Sequence, residues 1–244
     1  IINKKGEFLE KVSALDSVGG WLSHLFEYIS GSLKEVTFEV YALEDIKAAD
    51  GESEDYYKKD DLIATITTDE TGVAKLTDLP LGKYYVKEKE TANGYVLDGT
   101  AREIDLTYRD QDTAEVTYSS DWQNNRQKAE VKVLKKEKDS DRVLEGAVFA
   151  LCNKEDIVNA NGDVILKADT VIEEQATDKE GKLTFTADLP IGYTYYVKET
   201  SPAPGFATTD QVQEFTFEYD GADKETLSYE FTFEDEPTVV EITK

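Results

Sequence analysis

The 244-residue chain contains two similar halves, and this internal repeat constrains its fold more than any other feature. FEVYALEDI at 38–46 matches FALCNKEDI at 149–157, and YYVKEKETANGY at 84–95 matches YYVKETSPAPGF at 195–206. Both matches are offset by the same 111 positions. A chain of this length holds two domains of roughly 100–150 residues. The repeat therefore predicts two homologous domains in tandem, at 1–127 and 128–238.

Each half has the pattern of a series of short β-strands. TDETGVAKLTDLP at 68–80 and TDKEGKLTFTADLP at 177–190 both give a strand, a Gly-containing turn, a second strand and a Leu-Pro turn. The strands are rich in Val, Thr, Phe and Tyr, which favours an antiparallel sandwich over a parallel sheet. We predict an all-β fold of two tandem β-sandwiches.

The first half carries an extra segment near its start. In WLSHLFEYI at 21–29, the apolar residues recur at the spacing of one helical face; these are Trp21, Leu22, Leu25, Phe26 and Ile29. We therefore predict a short helical insertion at about 16–31, packed on the first domain.

The composition excludes several classes of function. With 52 acidic and 27 basic residues, the net charge of −25 argues against binding to nucleic acid or to an anionic membrane surface. No apolar run approaches the roughly 20 residues of a membrane span, and no stretch matches a calcium-binding loop, so no metal or cofactor is predicted. His24 and Cys152 are single residues of their types without a partner at catalytic spacing. The chain is not predicted to be an enzyme.

A glutamate lies on the apolar face of the same strand in each half. Side chains two apart in a strand share a face, so Glu88 lies on the side of Tyr84 and Val86. Glu199 ends the same alternation in the second half. A carboxylate in an apolar interior is costly unless it has a partner or a function.

The first and last strands of the second half add two more polar groups to the apolar side. In VKVLK at 131–135, Lys135 shares the face of the valines. In LSYEFTFED at 227–235, Asp235 ends the face that carries the aromatic residues. The second half thus directs a lysine, a glutamate and an aspartate toward one interior.

The first half repeats this set with one substitution. The shift of 111 positions leads from Asp235 to Asn124, and strand parity favours Asn124 over Asn125. INKK at 2–5 overlays VLKK at 133–136, which makes Lys4 the counterpart of the second-half lysine. Lys5 and Lys11 remain alternatives at this point.

Two interpretations of the lysine, glutamate and acceptor are open. A buried ionic triad is costly to desolvate and is weak support for stability. The other interpretation is covalent: desolvation lowers the pKa of a lysine and raises that of a carboxylic acid, so a neutral amine can attack an acceptor beside a protonated glutamate. Attack on Asn124 would release ammonia, and attack on Asp235 would release water.

These motifs together resemble the B-type repeat domains of Gram-positive collagen adhesins and pilus subunits, the Cna protein B-type or SpaA-like pilin domains. The family signature Y-x-V-x-E-x-x-x-P-x-G-[YF] is nearly complete at 195–206, with Ala203 at its proline position. VKVLK, LEGAVF and FEDEP match the family's V-x-V-x-K, L-x-G-A-x-F and F-x-[ND]-x-P in the second half. The first half departs from it, with TAN before its glycine and WQNNR at its end.

The resemblance implies a prealbumin-like or inverse immunoglobulin-like sandwich that forms its own isopeptide bond with help from the glutamate. Carried over by position, it implies bonds from Lys4 to Asn124 promoted by Glu88, and from Lys135 to Asp235 promoted by Glu199. Residues 239–244 repeat the spacing of the first strand and are interpreted as the start of a following repeat.

The function implied is that of a stalk. The parent would be an extracellular, cell-wall-anchored adhesin or pilus-like protein of a Gram-positive bacterium, and the partners of this segment would be the neighbouring repeats of the same polypeptide. The alternative is a ligand-binding adhesin module that recognises a host matrix protein or glycan.

Overall fold

The computed structural model describes residues 1–16, 22–48, 50 and 52–239, and these residues form strands and loops without any helix. They divide into two compact units, each made of separate stretches of chain. Unit 1 comprises Ile1–Glu7, Ser30–Arg126 and Gly221–Glu225, and unit 2 comprises Phe8–Ile29, Gln127–Asp220 and the residues from Thr226 onward. The domain bounds of 1–127 and 128–238 stay a prediction, and residues 240–244 of the expected following repeat lie outside the described residues.

The strands of the described residues, numbered in chain order, are β1 (Ile2–Asp16), β2 (Leu22–Ser32), β3 (Thr37–Ala42), β4 (Leu62–Thr67), β5 (Val73–Ala74), β6 (Lys83–Glu90), β7 (Arg102–Asp105), β8 (Ser120–Gln123), β9 (Lys128–Glu137), β10 (Val148–Asn153), β11 (Ile157–Val158), β12 (Val164–Leu166), β13 (Val171–Ala176), β14 (Lys182–Phe185), β15 (Tyr193–Ser201), β16 (Val212–Phe217) and β17 (Thr226–Asp235).

Unit 1 is a sandwich of two sheets. One sheet has the strand order β4–β3–β6–β7, with antiparallel neighbours. In the other, the start of β1 pairs antiparallel with β5 and parallel with β8. The rings of Phe38 on β3 and Trp122 on β8 meet edge to face, with centroids 5.1 Å apart. The first strand therefore lies directly beside the last strand of the unit.

Unit 2 repeats this arrangement. Its sheets have the orders β13–β10–β15–β16 and β14–β9–β17, and β17 runs parallel to β9. Phe149 on β10 packs against Phe233 on β17 with ring centroids 4.8 Å apart. Cys152 is fully buried in β10, and burial raises the pKa of its thiol. The two sandwiches confirm the predicted all-β fold.

The predicted helix at about 16–31 is wrong. Its described residues, 16 and 22–31, belong to two long strands, β1 and β2, and Phe8–Ile29 is assigned to unit 2. A helix would place Leu25, Phe26 and Ile29 on one face, but Leu25 and Ile29 are 45% and 46% exposed while Phe26 is 3% exposed. Trp21 lies outside the described residues.

Neighbouring strands explain why this segment is extended. Ser23 on β2 pairs with Glu173 on β13, so β2 extends a sheet of unit 2 at its edge. Across the pair of long strands, Glu27 accepts a hydrogen bond from Ser13 and lies 3.2 Å from the Lys11 amine. Strand preference depends on such neighbours more than on local sequence. The available sheet edge therefore overrides the helical spacing.

Phe26→Ala should destabilise unit 2, because the ring belongs to its buried core. A buried Phe→Ala substitution costs about 3–5 kcal/mol of unfolding free energy. Hydrogen exchange of peptides from β10 and β13 should report this loss. Leu25→Ala is the matched control, since its side chain is exposed and the expected change is within about 0.5 kcal/mol. Equal effects of the two substitutions would contradict the observed strand parity.

Candidate functional site

The first site brings together three polar side chains inside unit 1. The Lys4 amine lies 2.6 Å from Glu88 Oε2 and donates a hydrogen bond of 2.6 Å to Asn124 Oδ1. Asn124 Nδ2 in turn donates to Glu88 Oε1. None of the three residues is more than 4% exposed. Glu88 therefore contacts both the amine and the carboxamide nitrogen.

The second site has a lysine and a glutamate at the equivalent place in unit 2, with an aspartate in place of the asparagine. The Lys135 amine donates a hydrogen bond to Asp235 Oδ1 and lies 3.0 Å from Glu199 Oε1. Glu199 Oε2 accepts a 3.1 Å hydrogen bond from the backbone N–H of Thr209. The side chains of the lysine, the glutamate and the aspartate have no solvent exposure.

Strand order explains why these residues meet. In each unit the lysine is on the first strand, beside a parallel last strand; Asp235 is the final residue of β17, and Asn124 directly follows β8. The glutamate is on a central strand of the facing sheet, β6 or β15, with its side chain on the inner face. Inward parity on three strands therefore places the three groups in one interior volume.

In each unit, a glycine in a turn contacts the backbone of the buried lysine. Gly72 accepts a 2.7 Å hydrogen bond from the N–H of Lys4, and Gly181 accepts one of the same length from Lys135. Both glycines have positive φ, and a Cβ at either would lie 2.6 or 2.7 Å from the lysine carbonyl oxygen. No larger residue fits this close approach. The glycine of the repeated turn thus fixes the backbone of the lysine.

Aromatic rings keep the sites apolar. The Lys4 amine lies 5.7 Å from the ring centroids of both Phe38 and Trp122, and the Lys135 amine lies 5.7 Å from that of Phe149. These rings exclude water, so charge in the site is poorly solvated.

Two pKa values shift in the direction that burial dictates. Burial lowers the pKa of Lys4, although its hydrogen bond to Glu88 partly opposes this shift. Burial raises the pKa of Glu199, opposed by the Thr209 N–H and by Lys135. Both shifts favour the neutral forms of the groups, an amine and a protonated carboxylic acid.

Of the candidate residues that the sequence left open, the structure brings one lysine and one asparagine to Glu88. Lys5 is exposed, and Lys11 is 57% exposed and pairs with Glu27. Asn125, next to the buried Asn124, is also exposed. Lys4 is therefore the lysine that the fold brings to the glutamate and the carboxamide.

Sequence reasoning missed two residues that contact the sites. Thr91 Oγ1 accepts a 2.7 Å hydrogen bond from Asn124 Nδ2, and the Thr209 N–H donates to Glu199. Thr91 follows β6 and Thr209 precedes β16, so both lie in loops whose paths no strand pattern predicts. Neither contact is shared by the two sites, so the repeat gave no signal for them.

The arrangement suits acyl transfer between side chains. A lysine amine lies beside a side-chain carbonyl, and a carboxyl group lies within reach of the amine. This is the geometry of a nucleophile, an electrophile and a proton-transferring group. Within the described part of the chain, no group of three or more His, Cys, Asp or Glu residues is placed to hold a metal ion.

Family comparison identifies the type of domain. The family model of the SpaA prealbumin-like fold domain matches the chain twice, at residues 29–122 and 129–237. The chain belongs to this SpaA family. The match confirms the resemblance inferred from the motifs. The second matched range contains Lys135, Glu199 and Asp235, whereas the first contains Glu88 and lies between Lys4 and Asn124.

Several solved structures are similar to this chain at low sequence identity. The Bacillus anthracis TIE protein is similar over 88% of this chain, with a TM-score of 0.54 and 22% identity, and the match spans 38% of that protein's chain. The shaft pilin SpaA from Lactobacillus rhamnosus GG matches at 18% identity and a TM-score of 0.34, covering 99% of this chain and 98% of its own.

A second pilin gives similar values. GBS52, the minor pilin of Streptococcus agalactiae, also matches at 18% identity and a TM-score of 0.34, covering 100% of this chain and 99% of its own. No curated protein matches the SpaA-type chain by sequence. In the described residues, no helix has the length and apolar character needed to cross a membrane.

Proposed function

We propose that this chain is a stalk segment of a Gram-positive surface protein, an adhesin or pilus-like protein anchored to the cell wall. Its two SpaA-type domains would each be closed by an isopeptide bond that the domain forms by itself. Membership of a pilin domain family supports a structural role in a pilus or surface protein. The neighbouring repeats of the same polypeptide are its expected partners.

One observation carries this proposal. Two equivalent interiors each bury a lysine against a glutamate and an amide or carboxyl acceptor. A buried ionic group contributes little net stability, because desolvation offsets the attraction between charges. Formation of an amide converts these charged groups into a neutral linkage and removes that cost.

In the first domain, the neutral amine of Lys4 attacks Cγ of Asn124. The new Nζ–Cγ bond forms as the Cγ–Nδ2 bond breaks, and ammonia leaves. Glu88 Oε2 lies beside the amine and Oε1 beside the carboxamide nitrogen. It takes one proton from the lysine nitrogen and gives one to the leaving nitrogen, so its own protonation is unchanged at the end.

In the second domain, the neutral Lys135 amine attacks Cγ of Asp235, and the new Nζ–Cγ bond forms as one Cγ–Oδ bond breaks. The departing oxygen takes one proton from the lysine nitrogen and one from Glu199, and leaves as water. Glu199 lies beside the lysine nitrogen and holds its own proton more readily because burial raises its pKa. A neutral amine beside a protonated glutamate contains the same number of protons as the corresponding ion pair. Conversion of one form into the other therefore needs no proton from solvent.

The bonds would have a mechanical consequence. Lys135 and Asp235 are 100 positions apart, and Lys4 and Asn124 are 120 apart, so each bond closes most of a domain into a loop. The chain-entropy estimate for disulfide loops of about 100 residues gives ~4.7 kcal/mol of stabilisation. Tension along the polypeptide would also pass through the two covalent links and bypass the residues between them. These properties suit a stalk.

The intact mass of the purified chain should be lower than the sequence mass by one ammonia and one water, because the acceptors are Asn124 and Asp235. High-resolution mass spectrometry tests this directly. Lys4→Met should lose only the ammonia deficit, whereas Lys5→Met, a change at the exposed neighbour, should keep both deficits. An unmodified wild-type mass would remove the covalent proposal for both domains.

Glu199→Ala should leave Lys135 and Asp235 unjoined while the sandwich still folds, since general acid–base catalysis contributes about 10²–10⁴-fold to a rate. Peptide mapping at fixed times after synthesis measures the crosslinked fraction. Glu173→Ala is the matched control, because Glu173 is a buried carboxylate of the same unit that bonds Thr186 and Ala187 instead of the lysine. Normal crosslinking in Glu199→Ala would show that Glu199 is not required.

Single-molecule pulling should show no release of the chain between Lys135 and Asp235 in the wild-type protein. Lys135→Met should release these residues, a gain of roughly 350 Å at about 3.3–3.6 Å per residue. Lys136→Met is the control, because Lys136 is adjacent and its amine lies 3.9 Å from Asp141, outside the triad. Complete unfolding of the wild type at ordinary forces would favour the ligand-binding alternative over a stalk.

A further inference from the structure

Thr91 contacts the acceptor of the first site directly. It follows the end of β6, three residues after Glu88, and is partly buried. Its Oγ1 accepts a 2.7 Å hydrogen bond from Asn124 Nδ2. The same nitrogen donates its other hydrogen to Glu88 Oε1, so both of its N–H groups are used.

These contacts fix which end of the carboxamide faces the lysine. A carboxamide has nearly the same shape when its oxygen and nitrogen exchange places. In the flipped orientation, Nδ2 would point its hydrogens at the Lys4 amine, and Oδ1 would face the acceptor oxygens of Glu88. Thr91 and Glu88 together therefore hold the leaving nitrogen away from the nucleophile and against the carboxyl group.

The second domain lacks this hydroxyl. The position three residues after Glu199 is Pro202, which has no side-chain hydrogen-bonding group. The acceptor there is Asp235, a side chain without an N–H group, and its Oδ2 has no hydrogen-bond partner within the described residues. A threonine hydroxyl at this position is thus present in the domain with the Asn124 carboxamide and absent in the domain with the Asp235 carboxyl group.

We propose that Thr91 is a positioning residue that adapts the first domain to an asparagine acceptor. Its hydroxyl holds Asn124 Nδ2 at Glu88 Oε1, so the proton that completes ammonia reaches the nitrogen from a group already in contact. The bond changes are those given above, with Lys4 Nζ joined to Cγ and Nδ2 released as ammonia. This inference rests on the proposed isopeptide reaction.

The test follows bond formation in the full chain during cell-free synthesis. Samples are quenched in acid at intervals, and the Lys4–Asn124 and Lys135–Asp235 crosslinked peptides are quantified by mass spectrometry. Thr91→Val keeps the shape of the side chain but removes its hydroxyl. It should slow the first bond by about tenfold, the effect of one lost hydrogen bond to a reacting group. The second bond in the same molecules serves as the internal reference.

Two further variants test whether Thr91 orients the Asn124 carboxamide or only stabilises the surrounding structure. Thr91→Ser keeps the hydroxyl and should restore most of the rate of the first bond. With Asn124→Asp the leaving group is water and there is no carboxamide to orient. Adding Thr91→Val to that chain should therefore slow the bond by less than about threefold.

Each of these measurements can overturn the proposed role of Thr91. A Thr91→Val chain that forms the first bond at the wild-type rate would overturn it, as would an equal slowing with the Asn124 and the Asn124→Asp acceptors. Failure of Thr91→Ser to restore the rate would also overturn it. If the wild-type chain never yields the Lys4–Asn124 peptide, the proposed function of the first domain fails as well. That outcome is distinct from an unaltered rate in the threonine variants.

Discussion

A lysine amine held against a glutamate inside an apolar sandwich is the interaction on which the rest of the structure depends. Neither charge is well solvated there, and aromatic rings lie 5.7 Å from each amine. The two groups meet only because the first strand of each unit lies beside the last and both face a central strand of the opposite sheet. Strand order, the supporting glycine turns and the ring packing all act to create this one contact.

The sequence predicted this contact because two independent patterns agree. Alternation in strands placed the polar residues on the inner face, and the repeat paired Glu88 with Glu199 and Asn124 with Asp235. Strand parity does not give the distances between side chains, however, and it does not predict the paths of the loops. Thr91 and Thr209 reach the sites from loop positions that differ between the halves, so only the three-dimensional structure reveals these contacts.

The extended segment at 22–32 could not be predicted from local sequence. Its apolar spacing fits one face of a helix, but the deciding factor is the edge of β13, whose Glu173 pairs with Ser23. β13 is distant in the sequence, and its residues do not indicate that one edge of the strand is free to pair with β2. Tertiary pairing therefore set the secondary structure, as it often does for strands.

This distant pairing also sets an order of events during synthesis. Ser23 leaves the ribosome long before Glu173, its partner on β13. At about 5–20 residues per second, the interval is roughly 8 to 30 seconds. Throughout that time Phe26 lacks the core that later buries it. Newly made chains would therefore pass through a stage in which the β13-facing edge of β2 has no partner and the Phe26 ring is uncovered, when a chaperone that recognises extended segments has its clearest opportunity to bind.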